Sequence, residues 1–267
     1  MKVIKLLQEC TGHQNIRLTS RGNEAIFTAL YIARKVNPGK VLIPDQAGWL
    51  FYRKAPKMLG MEVEELKTDF GIIELEELKR KAAGASCLIY QNPAVYFAEQ
   101  PMKEIYELCK GKCLVILDAS GSIGTEMCDG NYADMIVASF GKWKLADAEY
   151  GGFVSAREAA LFEKPKEIFN LVQYDEGMSP RIYEKLKGAS GRYEKLRRIA
   201  EKIKQELKGF ALIHPDKEGI NVIVRCRNEV EKREIKDYCE KHKYPFAECP
   251  RYIRVKCNAL SIEVKRL

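Results

Sequence analysis

The chain has 267 residues, 46% of them hydrophobic and 31% charged, a balance that excludes a disordered or low-complexity protein. That length accommodates one large α/β core and a smaller appended unit. Its 45 Lys and Arg exceed 37 Asp and Glu by 8 charges, which suits ligands bearing phosphate or carboxylate. The basic residues alternate with acids along stretches such as 193–208, the pattern of a solvated helix face, so nucleic-acid binding is not expected. No run approaches the roughly 18 apolar residues of a membrane span. The first residues, Met1-Lys2-Val3-Ile4-Lys5, carry charge too early for a secretory signal. A cytoplasmic location is therefore expected.

In chain order, the pattern predicts a helix over 23–36, a strand at 41–43 and helices over 50–59 and 73–83. A strand at 87–90, a helix over 103–110 and strands at 113–117 and 135–138 follow. The strands are short continuous apolar runs, and the helices between them are amphipathic. Such alternation predicts a three-layer α/β/α arrangement around a mostly parallel sheet, with ligands beyond the carboxyl ends of the strands. After the glycine pair Gly151-Gly152, residues 180–208 read as a long charged helical stretch with a break at Gly188 or Gly191. Beyond it come a strand pair (210–214 and 220–225), a helix (229–242) and a final strand pair (252–256 and 260–264). These form a small C-terminal α+β domain, so the expected division is 1–180 and 181–267.

Four points in the first part carry chemistry. Ser20-Arg21-Gly22-Asn23-Glu24 is a small-residue turn opening a helix, either a routine helix start or a set of free N–H groups for phosphate. Trp49, just past a strand end, either stacks on a flat ring or plugs the core. Asp118 closes a buried apolar strand, where an acid either caps the following turn or needs a partner: a metal, a ribose hydroxyl or a protonated pyridine nitrogen. In Ser139-Phe140-Gly141-Lys142-Trp143-Lys144, a strand ends in a hydroxyl and then two lysines. A lysine desolvated beside a phosphate site is expected to have a lowered pKa and to act as an amine nucleophile.

The nine cysteines are irregularly spaced with no Cys-x-x-Cys pair, and the three histidines stand alone. Neither a disulfide framework nor a metal site is expected.

Together these motifs resemble the fold-type I enzymes that use pyridoxal 5′-phosphate (PLP), the aspartate-aminotransferase-like superfamily, over about residues 16–160. The resemblance implies that Gly22, Asn23 and Glu24 hold the phosphate and that Trp49 stacks on the cofactor ring. It further implies that Asn92, within Gln91-Asn92-Pro93, contacts the ring oxygen, that Asp118 pairs with the ring nitrogen, and that Ser139 binds phosphate. A nearby lysine forms the Schiff base. Ser-x-x-Lys spacing indicates Lys142. The sugar-aminotransferase (DegT/DnrJ/EryC1/StrS) branch has Ser-Phe-His-x-x-Lys followed by a double glycine, which favours Lys144, although Gly141 replaces the histidine. Tyr252-Ile253-Arg254 resembles the segment carrying the arginine for a substrate carboxylate.

By this resemblance the chain is a PLP-dependent aminotransferase acting on a small-molecule amino donor and acceptor, and a homodimer. It is shorter than usual members, so much of the N-terminal segment and part of the small domain are expected to be missing. Two alternatives are a cysteine desulfurase or lyase, for which Cys249 is the loop candidate, and a non-catalytic scaffold that keeps the fold.

Overall fold

A computed structural model gives the structure of residues 2–267. Helix α1 (Lys2–Thr11) precedes β1 (Asn15–Thr19), α2 (Gly22–Val36), β2 (Lys40–Pro44), α3 (Phe51–Met58) and β3 (Val63–Leu66). A hairpin of β4 (Thr68–Asp69) and β5 (Ile72–Ile73) leads to α4 (Leu75–Lys81), β6 (Ala85–Gln91) and α5 (Met102–Cys109). Next come β7 (Leu114–Asp118), β8 (Met135–Ser139), β9 (Gly152–Ala156) and the short α6 (Ala160–Glu163). Helices α7 (Ser179–Lys187) and α8 (Ala189–Glu206) connect to β10 (Ala211–Leu212) and β11 (Val222–Arg225). The chain closes with α9 (Glu229–His242), β12 (Phe246–Cys249) and β13 (Ala259–Ile262).

The first sheet has seven strands in the order β1-β9-β8-β7-β6-β2-β3. Strands β3, β2, β6, β7 and β8 run parallel, while β9 is antiparallel to both β8 and β1. All residues of β6 are buried, as a strand covered on both faces requires. Successive side chains feed opposite layers. Cys87 and Ile89 join Ile26, Leu30 and Tyr52 of α2 and α3. Leu88 and Tyr90 join the layer of α1, α4, α5, α7 and α8, with Leu7, Leu78 and Ile105. This is the three-layer arrangement expected from the sequence.

Local signals set the helix limits. Helix α2 has Glu24 in its first turn and Arg34 and Lys35 in its last, matching the helix dipole, and it stops before Asn37-Pro38. Helix α9 starts where Asn228 accepts a hydrogen bond from the Glu231 N–H, 2.9 Å. The charged stretch breaks at Gly188, whereas Gly191 lies inside α8.

The second sheet is antiparallel throughout, in the order β10-β11-β13-β12. The strand expected at 252–256 is not there. Strand β13 pairs with β12 instead, and residues 250–258 form a loop reaching back toward the first sheet. There the Ala47 N–H donates to the carbonyls of Tyr252 and Arg254, at 2.8 and 2.9 Å. An apolar patch of Ala47, Val95 and Phe97 against Ile213, Ile223 and Val255 seals the two sheets together. Among the described residues no helix is long and apolar enough to cross a membrane.

Candidate active site

Strands β2, β6, β7 and β8 end at one edge of the sheet, and a cavity of about 500 Å³ opens there. The N-terminus of α2 forms one end. Arg21 is its extended N-cap residue and gives no side-chain cap, so the first turn faces the cavity undefended by a side-chain acceptor. A Cβ on Gly22 would fall 2.5 Å from the Ser139 Cβ, so only glycine lets this turn approach β8. Ser139 Oγ accepts the Gly141 N–H at 3.1 Å, and the Ser139 N–H donates to Ser120 Oγ at 2.9 Å.

Gly22 and Asn23 line the cavity, but Glu24 does not. Its carboxylate accepts the Ser20 N–H and hydroxyl, at 2.6 and 2.9 Å, and the Gln173 N–H at 3.0 Å. The expected contact of Glu24 with a ligand is therefore corrected: it braces the turn from behind. Trp49 stands at the mouth, 40% exposed, with its indole N–H on Asn23 Oδ1 at 2.8 Å. It lines the cavity and does not plug the core.

Asn92 is also corrected. Its side-chain oxygen accepts the Gln100 N–H at 2.8 Å and its amide donates to the Met127 carbonyl at 3.2 Å. It is absent from the cavity, where its neighbour Gln91 stands instead. Adjacent residues at a strand end point to opposite faces, so a motif match shifted by one residue selects the wrong side chain.

Asp118, the last residue of β7, is buried. Its Oδ2 accepts the Tyr52 hydroxyl at 2.6 Å and its Oδ1 accepts the Ser120 N–H at 2.9 Å. Burial, then the Asp118 charge, raise the Tyr52 phenol well above its usual range. Tyr52 thus remains a proton donor to the carboxylate.

The two lysines differ. Lys142 is exposed, its ammonium 5.0 Å from the Trp143 ring centre. Lys144 points inward: its Nζ donates to Tyr96 Oη at 2.6 Å and lies 5.7 Å from the Trp49 ring centre. Burial alone would lower the Lys144 pKa, but Tyr96 and then Asp118 outweigh it and hold it above the ordinary lysine value. The expected lowering is thus reversed for this lysine.

Arg254 lines the cavity, yet its guanidinium faces Glu263. Nε and a terminal nitrogen bind the two carboxylate oxygens at 2.6 and 2.5 Å, and the other terminal nitrogen donates to the Ile253 carbonyl at 2.6 Å.

Tyr96, Lys265 and Arg266 also line the cavity and were not singled out in the sequence. Val95 and Tyr96 have φ of 47° and 67°, and Trp143 has 64°, conformations that non-glycine residues adopt at a cost and that cluster at functional sites. Burial, and then the nearby Lys144 charge, push the Lys265 pKa down to about 6. Among the described residues, the lining holds Arg21, Lys142, Lys144, Arg254, Lys265 and Arg266 against the single acid Asp118. Such a cavity attracts anions.

A family model described as the MJ1341 family C-terminal domain matches residues 190–267. No curated protein matches the chain. Among solved structures, it is similar to apo cysteine desulfurase from Thermococcus onnurineus NA1, with a TM-score of 0.70 and 14% identity, over 97% of this chain and 77% of that one. It is similar to NtdA from Bacillus subtilis with bound cofactor PMP, with a TM-score of 0.77 and 14% identity, over 98% and 72% of the respective chains. An alanine–glyoxylate aminotransferase from Nostoc sp. gives a TM-score of 0.72 and 16% identity, over 97% and 79%. At these identities the likeness is one of fold: the chain has the PLP-transferase-like fold, with a mostly parallel α/β sheet and a small C-terminal domain.

Proposed function

We propose that the chain binds PLP covalently on Lys144 and transfers an amino group from an amino acid to a keto acid or keto sugar. The observation that carries this reading is the convergence of three complementary groups on one cavity: an uncapped helix start beside Ser139, the Asp118 carboxylate, and the inward Lys144 amine. They fit the phosphate, the basic ring nitrogen and the aldehyde of PLP in turn. Each Asp118 oxygen accepts one hydrogen bond from the chain, which leaves lone pairs for a further donor.

PLP, when bound, supplies an electron-accepting ring that lets a bond at the amino-bearing carbon break. Ser139 and the α2 N-terminus would hold its phosphate, and the Asp118 carboxylate would keep a proton on its ring nitrogen. The Lys144 amine would hold PLP covalently and, as the nearest base, would move the proton at the amino-bearing carbon of the substrate. Tyr96 orients the Lys144 amine through its hydroxyl, and Trp49 restricts water at the mouth. The Ser139-to-Lys144 spacing supports the sugar-aminotransferase branch.

The desulfurase alternative gains nothing from this geometry. Cys249 is buried in the second sheet, its thiol raised by burial, and among the described residues no cysteine lines the cavity.

Adding PLP to the purified chain is expected to give a visible absorption band, and borohydride reduction is expected to leave a PLP adduct on the peptide carrying Lys144. No band and no adduct would refute the proposal. Gly22→Ala tests the phosphate end. The added methyl collides with Ser139, so PLP affinity should fall roughly five- to 150-fold, corresponding to the 1–3 kcal/mol of overpacking. PLP titration followed by absorbance measures this, and unchanged affinity would exclude the turn from phosphate binding.

A further inference from the structure

Three basic side chains surround one carboxylate at the back of the cavity. Glu263, just after β13, is fully buried. It accepts two guanidinium hydrogen bonds from Arg254, at 2.6 and 2.5 Å, and the Ser261 hydroxyl at 2.7 Å. The other two basic groups are not matched in this way. Lys265 Nζ is 3.9 Å from Glu263, beyond hydrogen-bonding distance. Arg266 Nε is buried with no hydrogen-bond partner, 3.5 Å from the same carboxylate. Lys265 Nζ lies 3.9 Å from the Tyr96 ring centre, and the Arg266 guanidinium lies 4.8 Å from that of Trp143. Both line the cavity. A basic group with a buried, unmatched nitrogen is unfavourable in its charged form until an anion arrives.

We propose that the substrate carries an anionic group, and that Lys265 and Arg266 receive it while Arg254 acts as the brace that fixes Glu263 between them. This rests on the PLP reading of the cavity, because the anion is then a second group on the amine-bearing substrate. The position is built into the fold. The Lys265 N–H donates to Asn221 Oδ1 at 3.2 Å. The Asn221 backbone N–H and side-chain amide in turn bind the carbonyls of Tyr96 and Val95, at 2.9 and 3.1 Å. The loop that presents Tyr96 to Lys144 therefore also sets Lys265, and the two amines flank one phenol. A ligand whose amine reaches Lys144 has its anionic end within the province of Lys265 and Arg266.

Charge supports the same arrangement. Lys265 faces Lys144 from the loop after β8, Tyr96 from the loop after β6 and Arg254 from the 250–258 loop. Glu263 and Arg266 flank it on its own segment. With its pKa near 6, Lys265 is largely neutral at neutral pH. An arriving anion favours its charged form, so binding draws in a proton. Anion affinity should be full below that pKa and weaken as pH rises through it.

The test is calorimetric titration of the full chain, after incubation with PLP, using glutarate as a carboxylate probe and methyl phosphate as a phosphate probe. Buffers of different ionisation enthalpy count the protons. The expected result is binding of at least one probe with uptake approaching about one proton; the preferred probe identifies the chemistry of the anion. Lys265→Gln should weaken binding roughly ten- to a hundredfold and abolish the uptake. Lys265→Arg should keep binding but remove its pH dependence, because arginine stays charged. Binding of neither probe, binding without proton uptake in the unaltered chain, or equal binding by Lys265→Gln overturns the proposal. Borohydride-fixed PLP is measured on the same samples. Anion binding that depends on Lys265 in a chain that takes up no PLP would retain the anion site and sink the PLP reading. Fixed PLP with no anion binding would do the reverse.

Discussion

Lys144→Ala is expected to abolish borohydride-stable PLP attachment, whereas Lys142→Ala should retain it. The two side chains are two residues apart but occupy different environments. Lys142 is exposed at the cavity rim with its ammonium against the Trp143 ring, and Lys144 is inside the cavity with its amine on Tyr96. Amino transfer by Lys144→Ala should fall by about 10²–10⁴-fold, the usual range for losing a positioned acid–base group, with the lost covalent link adding to it. Single-turnover conversion of PLP to its amine form by an amino donor measures this. Since Tyr96 and Asp118 raise the Lys144 pKa, its neutral, nucleophilic form is scarce near neutral pH. PLP attachment should therefore accelerate with rising pH up to that raised value. An adduct that maps to Lys142, or that persists in Lys144→Ala, would reverse the assignment.

Much of this site was legible because it lies at the ends of strands that the apolar pattern marks clearly. Asp118 and Ser139 close β7 and β8, and the α2 turn and Trp49 follow β1 and β2. In a parallel sheet, those ends necessarily share an edge. What could not be read was side-chain direction. Glu24 and Asn92 belong to the right segments, but local hydrogen bonds turn Glu24 onto Ser20 and Asn92 onto Gln100 and Met127. The sign of the Lys144 pKa shift is not local either, since it depends on Tyr96, a residue placed by a loop with left-handed backbone. Lys265 and Arg266 carry no local motif. They reach the cavity only through the Asn221 contacts with the 95–96 loop, a tertiary relation with no sequence period. The strand expected at 252–256 has the same origin: its apolar and basic alternation looks extended, but the carbonyls of Tyr252 and Arg254 are engaged by Ala47 in the loop after β2.

Glu263→Gln is expected to cost about 3–5 kcal/mol of folding stability, the penalty for leaving a buried charge without its partner. Glu263 is fully buried and is the acceptor for both hydrogen bonds of the Arg254 fork. An amide supplies only one oxygen and sets a donor against the guanidinium. Burial alone would raise the Glu263 pKa, but Arg254, and then Lys265, overcome it and hold it below the ordinary value. A depressed folded-state pKa stabilises above the unfolded value. This contribution should therefore be intact near neutral pH and disappear as pH falls below about 4.3 through the lower folded value. Urea unfolding across that range should show a gap between the unaltered chain and Glu263→Gln that narrows on acidification. A gap below about 1 kcal/mol at neutral pH would put the pair in the class of weak surface bridges and exclude a bracing role. The same substitution bears on the anion site without touching the ligand. Glu263 is the group that raises the Lys265 pKa against burial and three neighbouring cations, so its neutralisation should push Lys265 further toward the neutral amine and shift the pH dependence of anion binding to lower pH. A bracing carboxylate that merely held Arg254 in place would alter stability and leave that pH profile unmoved.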